Sequence, residues 1–259
     1  MSSLTRKDYW DQGYSSVKEI VELNFGWRDH LNNLIFKKIE DIGLEGKSVL
    51  EIGAGDSQWL PYLAKKYPGS QFAGLDYSKA GCERLAGRVA AICGAGAIDI
   101  YHQDMFVMES VIHGRFDLVL DNGVIEHFDD LSQALLAKQR YLKDQGLMFS
   151  LIPNLAGSLG YLTKLFNRKV YEMHNPHDWN SFLEGHRKAG LTLVSGGYLG
   201  SSGFGVIASC FEKHEGLSWH TYLFLTRLSK AIWLVETKLG NLPTSRMFSP
   251  YIYAISRKN

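Results

Sequence analysis

Four acidic residues recur at a regular place in the chain, each at or just past the end of a short apolar run: Glu51, Asp76, Asp104 and Asp121. A row of carboxylates repels a pyrophosphate, whereas it can hold a sulfonium, an ammonium and sugar hydroxyls. The first acid opens the segment Glu51-Ile52-Gly53-Ala54-Gly55-Asp56-Ser57, where two glycines let the backbone turn sharply and approach a ligand. In the dinucleotide fingerprint a third glycine draws strand and helix together around a phosphate; here that place is held by Gln58, which disfavours a nicotinamide-dependent oxidoreductase. Taken singly, each acid reads equally well as a turn or loop-capping residue. Taken together, they describe a cation-binding edge.

Beside the last acid stands a proton acceptor. His127 closes Asp121-Asn122-Gly123-Val124-Ile125-Glu126-His127, and an imidazole with an ordinary pKa of about 6.5 can take a hydroxyl proton near neutrality. Glu126 would orient His127 or face the ligand. The competing role for His127 is structural, capping or packing the helix that follows. A second group, His174-Asn175-Pro176-His177-Asp178, places two histidines on the approach to a helix that Asp178 would cap. His174 and His177 serve there either as acceptor-side residues or as loop histidines bonded within the fold. No cysteine and no H-E-x-x-H spacing accompanies them, so a zinc site is not indicated. Asp121, Glu126, Asp129 and Asp130 offer hard oxygen ligands, but acids at a helix start are favoured there in any case, and no metal is assigned.

The elements that must position these groups follow an α/β alternation. Strand-like runs at Lys47–Ile52, Gln71–Leu75, Ala97–Tyr101, Phe116–Leu120 and Gly146–Ile152 enclose helices at Gln58–Lys66, Lys79–Ile92 and Leu131–Leu142. Short apolar runs joined by such helices imply right-handed crossovers and a parallel sheet, with ligands at the carboxyl ends of the strands. Residues 17–40 have a roughly helical apolar period, broken near Gly26, and Tyr9, Trp10 and Tyr14 stand ahead of it as a cofactor cover or as core aromatics. Beyond Pro153 the pattern loosens: an irregular helix at Asn154–Asn167, a regular one at Asp178–Ala189, a strand at Leu191–Leu199, strand character over Gly203–Phe211, a long aromatic-containing helix at Leu217–Leu239 and a closing strand at Tyr251–Ser256. No repeat or linker divides the chain, so 1–259 is expected to be a single domain: a cap over 1–44, a core over 45–153 and acceptor-side additions over 154–259.

Composition bounds the partners. Of 259 residues 45% are apolar and 21% charged, with a formal net charge of +1, enough for a sizeable interior and no electrostatic footprint for nucleic acid. The three scattered cysteines fit a reducing compartment, and no apolar run resembles a leader or a membrane span, so a cytoplasmic location is expected.

Val49-Leu50-Glu51-Ile52-Gly53-Ala54-Gly55 resembles the first motif of class I S-adenosylmethionine-dependent methyltransferases, and later segments match in order. Gly74-Leu75-Asp76-Tyr77-Ser78 is similar to the second motif, Gln103-Asp104-Met105 to the adenine-binding turn, and Phe116 to Phe128 to the fourth-strand motif of small-molecule methyltransferases. The likeness spans about residues 45 to 155, with Ser57 where many members have a third glycine. It implies a Rossmann-like, mostly parallel sheet whose last strand is antiparallel, helices on both faces, and helical cap and insert segments. It also implies S-adenosylmethionine (SAM) as cofactor and S-adenosyl-L-homocysteine as product. The cofactor set carried over is Glu51, Gly53, Ala54, Gly55, Asp76, Tyr77, Asp104, Met105, Asp121 and Asn122. His127 is the catalytic residue, and Tyr14, Glu126, His174 and His177 are acceptor-side. No Asp-Pro-Pro-Tyr-like motif follows the fourth strand, which disfavours nucleobase or amide nitrogen. The expected reaction is transfer to a hydroxyl of a small molecule or sugar or glycan intermediate, in small-molecule or polysaccharide biosynthesis. The alternatives are N- or C-methylation of a natural-product or quinone-type substrate, or a non-catalytic SAM-binding protein. The 217–239 helix is a candidate homodimer surface.

Overall fold

Alternation of side chains along each strand sends neighbouring residues to opposite faces of a sheet, and here both faces are apolar. The computed structural model describes residues 4–5, 7–15, 20 and 22–259. Its strands are β1 (Ser48–Ile52), β2 (Gln71–Asp76), β3 (Asp99–His102), β4 (Phe116–Asn122), β5 (Leu142–Pro153), β6 (Leu191–Leu199) and β7 (Tyr251–Lys258). They form one seven-stranded sheet in the order β3-β2-β1-β4-β5-β7-β6. β1 to β5 pair in parallel, and β7 runs antiparallel between β5 and β6. This is the expected fold class: a Rossmann-like methyltransferase sheet.

The two faces divide the core. Val49, Leu118, Leu120, Phe149 and Leu151 pack under α2 (His30–Glu40), α3 (Trp59–Lys66) and α4 (Lys79–Ile92), against Ile35, Ile39, Leu60 and Leu85. Leu50, Ile52, Val119 and Met148 pack on the other face under α5 (Leu131–Gln139) and α8 (Trp179–Lys188), against Ala134, Leu135 and Phe182. The helix starts are fixed by side chains that satisfy otherwise unpaired N–H groups. Ser78 accepts from Gly81 N at 3.0 Å, Asp130 from Ser132 N at 2.9 Å, and Asp178 forms a capping box with Ser181.

Several segments depart from the sequence expectation. Tyr9, Trp10 and Tyr14 lie inside a helix of their own, α1 (Lys7–Ser15), not ahead of one. Of the 17–40 span only His30–Glu40 is α-helical, entered through a 3-10 turn at Trp27–Asp29; Val17 and Val21 lie outside the described residues. Strand β5 begins at Leu142, so α5 ends earlier than its apolar pattern suggested. The stretch 203–211 is a kinked 3-10 segment, Phe204–Cys210, and not a strand. With α6 (Ser158–Phe166) and α7 (Arg168–Glu172) it builds a small separate core around Leu155, Leu159, Val170 and Ile207. The long helix α9 (Gly216–Leu239) contributes Tyr222 to that core and packs on the 3-10 turns. Among the described residues no helix is long and apolar enough to cross a membrane.

Candidate active site

The loop after β1 hangs on β2. Leu75 O accepts from Gly53 N at 2.8 Å and from Ala54 N at 3.2 Å, and Gly53 takes a φ of +73°, a conformation that favours glycine. Glu51 stabilises the same loop from beneath. It accepts from Ser57 Oγ at 2.6 Å, and that hydroxyl in turn accepts from the N–H groups of Trp59 and Leu60 at the start of α3. Ser57, where family members often have glycine, is therefore a helix cap. Burial pushes the Glu51 carboxyl up to about 8, against the Ser57 hydrogen bond that favours its charge.

Asp76 ties the loop to the edge of the sheet. Oδ2 accepts from Gly55 N and Oδ1 from Ser78 N, both at 2.8 Å, and burial holds the carboxyl above its usual range. A Cβ on Gly55 would fall 2.8 Å from Asp76 Oδ2 and 2.7 Å from the Tyr14 ring, so only glycine fits this close approach. The loop is further held by Asp56, whose carboxylate accepts from Arg84 Nε and Arg88 Nη2 at 2.6 Å each.

Between this edge and α1 lies a cavity of about 310 Å³, in the size range of small-molecule sites. At one end are Asp76, Tyr77, Asp104, Met105 and Phe106; at the other, Asn122, Val124, His127 and Phe128; Gly53 lies on the wall between them, and Trp10 and Tyr14 of α1 close the top. A buried carboxylate beside apolar and aromatic walls suits a ribose and adenine, and the open backbone at Gly53 suits an amino-acid tail. The residues present fit SAM. Helix α1 is pinned over them by Trp10, edge-on to His127 with ring centroids 5.4 Å apart, and by Asp11, which accepts from the Ser78 hydroxyl.

His127 sits on a 3-10 turn, Ile125–His127, directly after the fourth strand. Its Nδ1 bonds the carbonyl of Met173 at 2.7 Å, and Nδ1 of His174 bonds the carbonyl of Val170 at 2.7 Å. A carbonyl only accepts, so both Nδ1 atoms carry the proton, and in the neutral rings Nε2 bears the lone pair. Burial, then the neighbouring His174, push His127 down to about 4; burial also lowers His174. The two rings lie 4.5 Å apart between centroids. Glu126 is buried beside them with Oε2 unpartnered among the described residues, and burial pushes its carboxyl up to about 8. The chain segments are joined by Asn175 N, which donates to Glu126 O at 2.7 Å.

Of the residues singled out in the sequence, Gly53, Asp76, Tyr77, Asp104, Met105, Asn122, Tyr14 and His127 line the cavity. Asp121 does not, and its assignment to the cofactor is corrected. Its carboxylate is wholly buried on the α5 side and accepts from Lys138 Nζ, which also reaches Ser150 Oγ at 2.8 Å. Glu51 and Ala54 support the loop from within, and Glu126, His174 and His177 stand behind the wall. The four acids once grouped for a metal are also separated by role, Asp121 pairing with Lys138 and Asp130 capping α5. Thr5, Gln103, Phe106 and Phe128 join the lining unforeseen. The aromatic pair among them flanks the motifs, Phe106 after Asp104-Met105 and Phe128 after His127, which is the signal that could have found it.

A family model described as "Methyltransferase domain" matches residues 27–195. No curated protein matches the sequence significantly. Solved structures share the fold. The [4+2]-cyclase SpnF has a TM-score of 0.61 at 13% identity, covering 97% of this chain and 91% of its own. The geranyl diphosphate C-methyltransferase of Streptomyces coelicolor, solved with Mg2+, geranyl diphosphate and S-adenosyl-L-homocysteine, has 0.57 at 12%, covering 89% and 78%. The magnesium protoporphyrin IX methyltransferase of Synechocystis, with bound S-adenosyl-L-homocysteine, has 0.56 at 14%, covering 97% and 93%. With the family model spanning more than half of the sequence, on a Rossmann-like sheet with its glycine loop and carboxyl-edge acid, the chain belongs to the methyltransferase domain family and is a class I SAM-dependent methyltransferase.

Proposed function

We propose that the chain methylates a hydroxyl of a small molecule or a sugar or glycan intermediate. The observation that carries this is His127: a buried neutral imidazole on the cavity wall, with Nδ1–H held by the Met173 carbonyl, which leaves the ring lone pair on Nε2. In this reading Asp76 holds the ribose hydroxyls, Tyr77, Met105 and Phe106 border the adenine, and Gly53 and Asn122 take the methionine end; all of them line the cavity, which supports it. SAM supplies a methyl group activated by its sulfonium. With SAM bound, the chain would need to hold the acceptor hydroxyl in line with the sulfonium methyl, and His127 would take the hydroxyl proton. The protein's share is alignment, exclusion of water by Trp10 and Tyr14, and proton removal.

The test is His127→Ala and His127→Gln, with SAM affinity by calorimetry and S-adenosyl-L-homocysteine release on a panel of hydroxylated acceptors. Turnover is expected to fall about 100-fold or more, the range of a lost acid–base group, with SAM affinity within threefold. Full turnover without the imidazole would return His127 to a packing role and favour N- or C-methylation, which the C-methyltransferase of like fold makes a live comparison. Tight SAM binding with no S-adenosyl-L-homocysteine on any acceptor would favour a non-catalytic role. A cytoplasmic setting is supported by three free thiols, Cys82, Cys93 and Cys210.

A further inference from the structure

One cluster behind the cavity wall has more organisation than proton transfer needs. Glu126, His127 and His174 each offer a donor atom, and these atoms lie within 4.8 Å of one another. Two imidazoles and one carboxylate from two segments, the histidines 47 positions apart in the chain, meet where Asn175 N bonds Glu126 O. Both rings give their Nδ1–H to backbone carbonyls, Met173 and Val170, at 2.7 Å. That is the outer support which fixes tautomer and ring direction in metal-ligating histidines, and in each neutral ring it leaves the lone pair on Nε2. Glu126 is 2% exposed, and its Oε2 has no partner among the described residues. A buried carboxylate oxygen without a donor is costly to leave so. A cation would satisfy it.

We propose that Glu126, His127 and His174 bind one divalent transition-metal ion at the wall of the cavity. Two nitrogens and one carboxylate are the donor set that suits zinc, iron(II), manganese or cobalt, in contrast to the all-oxygen shells of calcium and magnesium. Ligand bonds of about 2.1 Å place donors about 3.0–3.5 Å apart, so the three side chains must close by up to roughly an ångström and a half. Three protein ligands leave coordination positions open, and His127 brings them to the cavity. If the acceptor is a hydroxyl, as proposed above, its oxygen takes an open position. With the ion bound, the His127 lone pair is committed to the metal, so the ion takes over the part given to His127 above: it lowers the pKa of the hydroxyl, and the proton leaves to solvent instead of to the imidazole. That role rests on the hydroxyl acceptor; the site itself does not.

Metal binding is therefore measured without turnover. Chelator-treated protein is titrated with Co2+, following its visible d–d absorption, and then with Zn2+ in competition. One ion per chain is expected. His174→Asn and Glu126→Gln should each weaken Co2+ binding about 100-fold or more, while SAM affinity in the same samples stays within threefold and reports that the variants are folded. Absence of Co2+ binding to the wild-type chain at millimolar ion, or equal binding by wild type and folded His174→Asn, overturns the site. Should Glu126→Gln lose SAM binding, the half-buried His174 position carries the comparison. Binding of the ion with turnover independent of it would retain the site and refute only its part in the reaction.

Discussion

Asp121 separates two accounts of the carboxyl edge. If it held the cofactor, Asp121→Asn would lower SAM affinity and leave the fold alone. The structure requires the reverse. Asp121 and Lys138 are both fully inaccessible and paired, and among the described residues the ammonium has only Ser150 Oγ besides. Neutralising the acid leaves a buried cation without its counter-charge, and breaking such a pair costs about 3–5 kcal/mol. For a domain of this size 1 kcal/mol moves the midpoint by about 2–4 °C, so a fall of roughly 6–20 °C is expected. Lys138→Met alone should also destabilise. The double variant Asp121→Leu/Lys138→Met should recover most of the loss, because no charge is then buried, and the cycle of variants isolates the coupling. The assays are urea and thermal unfolding without ligand, and calorimetric SAM titration well below the midpoint. A tenfold or greater loss of SAM affinity in folded Asp121→Asn, with its midpoint unmoved, would refute the pairing and restore the acid to the cofactor.

Three further outcomes follow from the site. Asp76→Ala unties Gly55 N and, on the cofactor assignment proposed above, removes a charged acceptor from the ribose; charge-assisted bonds are worth about 1.5–3 kcal/mol each, so SAM affinity should fall at least about 100-fold, and unchanged calorimetry would remove the cofactor assignment. Glu51, raised from its ordinary 4.5 to about 8 by burial, binds its proton more tightly folded than unfolded, so its stabilisation is complete below pH 4.5 and is lost as pH rises toward 8. Urea unfolding of Glu51→Gln should therefore show a shallower decline over that window than wild type; parallel profiles would place the titration elsewhere. On α9, Phe224 is 65% and Leu228 44% exposed. If the helix joins two copies, sedimentation should give a dimer that Phe224→Asp/Leu228→Asp splits, and a wild-type monomer at tens of micromolar would leave α9 only its packing within the chain, through Tyr222, Ser229, Trp233 and Glu236.

The parts of the fold that were legible are those with a strong period. Lys79–Ile92 and Leu191–Leu199 match their elements to the residue, and Gly53 and Asp76 fall on the edge where parallel sheets bind ligands. Asp121 misled because a strand-end acid looks the same in sequence whether it faces the ligand or the helix. Parity decides it: Asp121 shares its side with Val119, which packs under α5, while Asn122 lines the cavity. His174 could be named but not placed, since its approach to His127 depends on α7 and on the Asn175–Glu126 bond. Phe204–Cys210 has the Val and Ile of a strand; it is wound instead into a 3-10 segment because Ile207 and Cys210 are taken up by a small core that no local period announces.

The position of β7 sets an order of assembly during synthesis. Leu147–Pro153 of β5 must find Tyr251–Arg257 before β6 has a neighbour, since among the described residues β6 pairs only with β7. While α6 to α9 emerge from the ribosome, the apolar edge of β5 presents open N–H and C=O groups to any other chain. The parallel half, β1 to β5, can close early on local crossovers, whereas the antiparallel half waits for a late strand to be inserted between two earlier ones. Slow translation or truncation ahead of Tyr251 should therefore yield aggregation through β5, with the nascent cofactor edge already formed beside it.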